Sequence, residues 1–224
     1  MTVAVIVPVY GNEATLPALV DRLGAALADR PWRLRLVIDA SPDASLAVAR
    51  HLAAGDPRIA VTDLGSNVGQ HRALARGLAD EPDATAWACL DADLQDRPEA
   101  LPVLLDRLAT GDVAAVFAGR RGDYEGAGRL ATGRLHRVAL ARLTGLPNDA
   151  GAYVALGPAG RDAVLSLRGP SVVAAIGIAG VPTTSVPVDR DSRPAGRSAW
   201  TGATRLSQSA RTLMWAANRR RRAG

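Results

Sequence analysis

Ala86-Trp87-Ala88-Cys89-Leu90-Asp91-Ala92-Asp93-Leu94-Gln95-Asp96 passes from five apolar side chains directly to two carboxylates one residue apart. An apolar run without polar alternation suits a strand covered on both faces, the kind found in parallel sheets. Its carboxyl end would deliver Asp91 and Asp93 to one sheet edge, and an extended backbone would turn both side chains the same way. Converging carboxylates repel, and a hard cation such as Mg²⁺ or Mn²⁺ relieves that repulsion while holding a diphosphate. The same residues admit a second reading, in which Asp91, Asp93 and Asp96 cap the helix entered at Pro98.

Outward from this stretch, short apolar runs alternate with amphipathic ones. Residues 3–8, 34–39, 59–63, 86–91 and 113–118 read as strands, and 13–28, 44–53, 69–78 and 99–108 as helices. That order predicts an α/β fold: a single Rossmann-like, mostly parallel sheet flanked by helices, with ligands at the carboxyl ends of the strands. Tyr10 follows the first strand, Asp39 ends the second and Asp91 ends the fourth, so three strand ends carry polar groups to one edge. This agreement favours the cation reading of the paired aspartates over capping.

The second half is less regular. A glycine-rich loop at 122–128 precedes helical spacing at 129–143, then strands at 150–156 and 181–188, a loop at 189–196 and a terminal helix at 203–218. Leu206, Leu213, Met214 and Trp215 offer that helix an apolar face. Residues 1–200 are expected to form one main domain, and 201–224 a C-terminal helix with a basic tail.

With 224 residues and 48% apolar content the chain can build one sizeable core. Its 27 basic residues are all arginine and outnumber 22 acids, a formal charge of +5, with an unbroken run at Arg219–Arg222. A basic face can meet phosphates or anionic lipid. Nucleic acid is not the expected partner, because aromatic content is 4% and no recognition motif is present. Cys89 is the sole cysteine, which excludes an intramolecular disulfide. Without a leader pattern or membrane-length apolar stretch, cytoplasmic placement is expected, with peripheral membrane contact through the basic terminal helix.

Several ordered segments resemble the inverting GT-A glycosyltransferases of family 2, in the branch of dolichol-phosphate mannose synthases and bacterial polyprenyl-phosphate glycosyltransferases. Val7-Pro8-Val9-Tyr10-Gly11-Asn12-Glu13 is similar to the P-x-Y-N-E opening, Ile38-Asp39-Ala40-Ser41-Pro42-Asp43 to the D-D-G-S-x-D turn, and Asn67-Val68-Gly69-Gln70 to N-x-G-K/Q. Asp91-Ala92-Asp93-Leu94-Gln95-Asp96-Arg97-Pro98-Glu99 is close to D-A-D-L-Q-x-P-P-E. The resemblance implies that Pro8, Tyr10, Glu13, Asp39, Asn67, Gly69, Gln70, Asp91, Ala92, Asp93 and Gln95 bind a nucleoside-diphosphate sugar. Pro8 and Tyr10 would shape a turn against the base, Asp39 would accept from a base N–H, and Glu13 would hold the loop or the ribose. Gly69 would let the backbone approach closely. Asp91, Asp93 and Gln95 would hold Mg²⁺ or Mn²⁺.

Farther along, Gly119-Arg120-Arg121 is similar to a G-x-R segment, Asp149-Ala150-Gly151-Ala152-Tyr153 to D-x-G-x-F, and Arg193-Pro194-Ala195-Gly196-Arg197-Ser198-Ala199-Trp200 to the R-x-x-G-E-S-K-Y loop. These imply catalytic roles for Asp93, Asp149, Arg121 and Arg193, and acceptor contacts from Arg121, Arg129, Arg134 and Ser198. Three departures stand out: Ile38 replaces the first Asp of the D-D pair, Val154 replaces an Arg, and Arg197 replaces an acid. The implied reaction is metal-dependent, inverting transfer to a polyprenyl phosphate. A soluble hydroxyl acceptor is the alternative, with Asp149 as its base. A nucleotidyltransferase would need a glycine-rich basic loop after the first strand, which is missing, and an idle nucleotide-sugar-binding or membrane-recruiting protein is the third reading. The sequence assigns no oligomeric state.

Overall fold

β1 (Val3–Val9) is buried along its whole length, as an apolar strand between two helical layers must be. Val3, Val5, Val7 and Val9 enter one core while Ala4 and Ile6 enter another, so the two-residue period divides the strand between both faces of the sheet. The structure is a computed structural model and describes residues 2–121, 137–191 and 202–223.

The other strands are β2 (Trp32–Ile38), β3 (Ile59–Asp63), β4 (Ala86–Cys89), β5 (Ala115–Arg121), β6 (Val154–Leu156) and β7 (Thr183–Asp189). They form one sheet in the order β3-β2-β1-β4-β6-β5-β7. Every pairing is parallel except those of β6, which runs antiparallel to both β4 and β5. Helices α1 (Leu16–Ala26), α2 (Ser45–Gly55) and α4 (Leu101–Ala109) cover one face. The other face carries α3 (Gln70–Ala79), α5 (137–144), α6 (Pro158–Leu167), α7 (Val172–Ala179) and α8 (Gly202–Ala223). The expected wound sheet is therefore present, with one reversed strand.

Amphipathic spacing accounts for α1 and α4: Leu16, Leu19 and Leu23 meet Leu101, Leu104, Leu105 and Leu108 in the first core. Each fully buried leucine contributes about 1.5–3 kcal/mol relative to exposure. β2 has one polar position within the layers, where Arg35 pairs with buried Glu81 at 2.6 Å. α6 and α7 lie outside the sequence expectations. α7 is buried over Val172–Gly177 and so carries no polar face to reveal a helical period, although Ser171 caps its start and Gly180, at φ 67°, ends it.

The terminal helix packs on the domain. Thr212 and Ala216 are buried, Gln208 Nε2 donates to the Pro170 carbonyl at 2.7 Å, and the Trp215 indole lies against Gly169. Leu213 and Trp215 reach the second core as expected, whereas Met214 turns outward and is 59% exposed. The Leu206 side chain lies outside the described residues. Among those residues no single helix is long and apolar enough to cross a membrane.

Candidate active site

Parallel pairing brings the ends of β1 to β5 and β7, except reversed β6, to one edge, and β6 begins at that same edge. The loops gathered there are tied to one another before any ligand is considered. Gly11 N–H donates to Ser41 Oγ at 2.7 Å, Asn12 N–H to Ser45 Oγ at 3.0 Å and Glu13 N–H to Asp43 Oδ2 at 3.1 Å. In return Glu13 Oε2 accepts from Ala44 N–H at 2.7 Å. Glu13 thus ties the loop after β1 to the loop after β2.

Asp43 is the hub of this knot. Burial by itself would raise its pKa, but hydrogen bonds from Ser41, Ser45 and the Glu13 and Ser45 N–H groups outweigh that and lower it to about 2. Ser41, Asp43 and Ser45 are absent from the residues selected in the sequence, although the D-D-G-S-x-D-like turn contains Ser41 and Asp43. Tyr10 follows β1 and is 41% exposed, a ring open to stacking. Pro8 is buried within β1 and paired with Val37, as the strand expected over 3–8 has it, and the turn it is expected to shape begins after it. A proline fits there because the β4 side of β1 is paired only as far as Ile6, so no second-side ladder N–H is required of it.

Asp39 is 3% exposed, and its carboxylate accepts Val68 N–H at 2.6 Å and Gly69 N–H at 2.9 Å. Asn67 Nδ2 donates to the Asp39 carbonyl at 3.3 Å. Together these bonds lock the end of β2 to the turn that opens α3. Gly69 precedes that helix at φ 89°, and no protein atom lies within 4 Å of a Cβ placed on it. The backbone angle, and not crowding by the protein, is what demands glycine there.

Gln70, the first residue of α3, donates through Nε2 to Asp91 Oδ1 at 2.6 Å. The strand expected through Asp91 stops at Cys89; Ala92 and Asp93 form a turn and Leu94 is left-handed at φ 59°. Strand alternation therefore does not aim the two aspartates. The turn does: Asp91 faces Gln70, while Asp93, 9% exposed, accepts the Gln95 N–H at 3.1 Å. Ala92 is buried, and its carbonyl accepts Thr15 Oγ1–H at 2.7 Å. The capping alternative is absent here, because Arg97 stands at the cap position of the turn Pro98–Ala100 without a side-chain capping bond.

Asp96 instead pairs with Arg190 at 3.0 Å, both buried. Asp191 N–H donates to the Gln95 carbonyl at 2.9 Å, and Arg97 grips Asp191 at 2.6 Å, which holds that carboxyl below its usual range. Tyr153 closes the cluster by donating to the Arg97 carbonyl at 3.0 Å, and burial pushes its phenol well above the usual range. None of these pairings is legible in the sequence, because the residues meet only through strand order.

Asp149 precedes β6 at the same edge. Its Oδ2 accepts from Ser185 Oγ at 3.2 Å, and it packs so closely on Gly119 that a Cβ there would fall 2.1 Å from the carboxylate. The backbone of Arg121 ends β5 opposite Asp189. The Arg121 side chain and Arg129, Arg134, Arg193 and Ser198 lie outside the described residues.

Among the described residues no group of three or more His, Cys, Asp and Glu side chains forms a cation cage. Asp91, Asp93 and Gln95 carry oxygen donors of the kind hard cations use in phosphate-handling sites, where one or two carboxylates are completed by substrate phosphates and water.

A wound sheet whose strand-end loops converge beside two acidic residues is an arrangement that GT-A sugar transferases share with other nucleotide-binding α/β proteins. Residues 4–156 match the family Glycosyl transferase family 2, and the chain belongs to that family. Undecaprenyl-phosphate 4-deoxy-4-formamido-L-arabinose transferase from Pseudomonas aeruginosa strain LESB58 is 36% identical over 148 residues, 64% of this chain and 43% of its own length. The protein of the same name from Pectobacterium carotovorum strain PC1 is 38% identical over 126 residues, 54% of this chain and 38% of its own length. The chain thus spans about two fifths of these curated relatives. A crystal structure of glucosyl-3-phosphoglycerate synthase from Mycobacterium tuberculosis with Mn²⁺, UDP and phosphoglyceric acid superposes with TM-score 0.70 at 20% identity, covering 98% of this chain and 78% of that one. That likeness establishes the shared fold.

Proposed function

We propose that this protein transfers a sugar, with inversion, from a nucleoside diphosphate to a polyprenyl phosphate, using Mg²⁺ or Mn²⁺. The observation that carries the reading is the Gln70–Asp91 contact beside Asp93, which joins the N-x-G-Q and D-A-D segments into one polar site in a chain whose relatives are undecaprenyl-phosphate sugar transferases. Mn²⁺ and UDP in the Mycobacterium tuberculosis structure support the cofactor and donor class.

In this reading Tyr10 stacks on the base, and Asp39 meets a base N–H with lone pairs beyond those engaged by Val68 and Gly69. Asp91, Asp93 and Gln95 would hold the cation that neutralises the diphosphate. A bound cation supplies neutralisation of the charge that develops on the leaving group. The acceptor phosphate is already ionised near neutral pH, so its oxygen needs no general base. As that oxygen bonds to the anomeric carbon, the bond from this carbon to the nucleoside diphosphate breaks on the opposite face. Asp149 orients the acceptor, and Arg121, Arg129, Arg134, Arg193 and Ser198 contribute phosphate contacts. A membrane-resident acceptor also suits a cytoplasmic-face enzyme held peripherally by the exposed arginines of α8.

The test is incubation with labelled UDP-, GDP- and dTDP-sugars, undecaprenyl phosphate and Mg²⁺ or Mn²⁺. Label in the lipid phase is expected. Transfer only to a soluble hydroxyl would replace the acceptor and make Asp149 its base, and nucleotide binding without any transfer would favour the idle binder.

A further inference from the structure

Among the described residues β7 is an edge strand paired with β5, and it carries two attachments to the site. Ser185, within the strand, bonds Asp149; Arg190, just beyond its end, forms the buried ion pair with Asp96 and an isolated antiparallel bridge to the same residue. Asp96 belongs to the loop after β4, and β6 and β5 lie between β4 and β7. Strands spaced about 4.8 Å apart put β4 and β7 about 14 Å from each other. The loop therefore crosses the ends of two strands with Asp91 and Asp93 at its near end and its far end fixed to β7. Tyr153, at the start of β6, supports the crossing through Arg97.

We infer that Asp96 and Arg190 are a positioning pair: through β7 they set the distance between the donor-side carboxylates, Asp91 and Asp93, and the acceptor-side carboxylate, Asp149. This deepens the proposed function and rests on it. A surface hydrogen bond would hold such a crossing loosely. A buried, charge-assisted pair between residues 94 positions apart resists displacement, because moving either partner strands the other's charge in a dry site.

The experiment uses the neutral double variant Asp96→Asn/Arg190→Gln, which removes both charges together, alongside the wild-type enzyme. Melting temperature, binding of UDP and GDP with Mn²⁺ by calorimetry, and steady-state transfer are measured on each. The expected double variant melts within a few degrees of wild type, binds the nucleotide within threefold, and loses kcat on the order of 10²-fold, as small misplacements of reacting groups do. KM for the donor stays near the wild-type value. Wild-type kcat in the folded variant, or weakened nucleotide binding with kcat preserved, would overturn the inference. A lowered melting temperature with unchanged kcat per folded molecule would also reject it, leaving the pair a purely structural one. Absence of transfer by the wild-type enzyme is a separate outcome, which removes the proposed function itself.

Discussion

At the scale of single residues, the site is dominated by side chains that shape loops. Asp43 illustrates this: its carboxyl is held at about 2, below its ordinary 3.8, by four hydrogen bonds from two loops. A depressed folded pKa contributes stability that is fully present above about pH 3.8 and lost as pH falls through about 2. Asp43→Asn should therefore be less stable than wild type at pH 6, with the gap closing towards pH 2 in chemical unfolding. Ala40 sits at φ 50° where the family motif has glycine, a conformation that costs an L-residue roughly 1–2 kcal/mol. Ala40→Gly relieves that strain against glycine's entropy cost, so it should be neutral or raise stability by up to about 1 kcal/mol in urea titration. Asp91→Asn and Asp93→Asn should each lower transfer on the order of 10²-fold while the melting temperature holds. Normal turnover in both would remove the donor-site assignment. These aspartates and Gln70 are legible from the sequence as a motif, but the contact between Gln70 and Asp91 is not, since it joins residues 21 positions apart.

Among the elements, the legible ones are those with a period. β1 reads as a buried strand and α1 and α4 as amphipathic helices, and each lies within a few residues of its expected span. α7 is not legible because it is apolar on every side, whereas β6 falls within the strand expected over 150–156 but its three residues carry too little pattern to show a direction. Close packing of the missed elements is testable. A Cβ on Gly160 of α6 would lie 2.4 Å from the Ala114 carbonyl oxygen, a backbone atom that cannot rotate away. Gly160→Ala should cost about 1–3 kcal/mol in denaturant unfolding despite alanine's better helix propensity.

For the whole molecule, α8 combines a seated face with a basic one. Thr212 and Ala216 are buried, whereas Arg211, Met214, Asn218, Arg221 and Arg222 are exposed. Arg220 is committed to carbonyls at the end of α5. If the outward arginines meet anionic lipid, the triple variant Arg211→Ala/Arg221→Ala/Arg222→Ala should sediment less with phosphatidylglycerol vesicles than wild type, and the difference should shrink as salt is raised. Equal, salt-independent sedimentation would remove the membrane role. The sequence by itself determined the α/β class, the buried strands, the acidic motif and the edge to which it belongs, because apolar periodicity and short motifs are local properties. Only the tertiary structure decided that β6 runs backwards, that Asp91 and Asp93 are aimed by a turn and not by strand alternation, and that Asp96 finds Arg190 across two strands. Those facts depend on strand order and on contacts between residues far apart in the chain, and no local pattern encodes them.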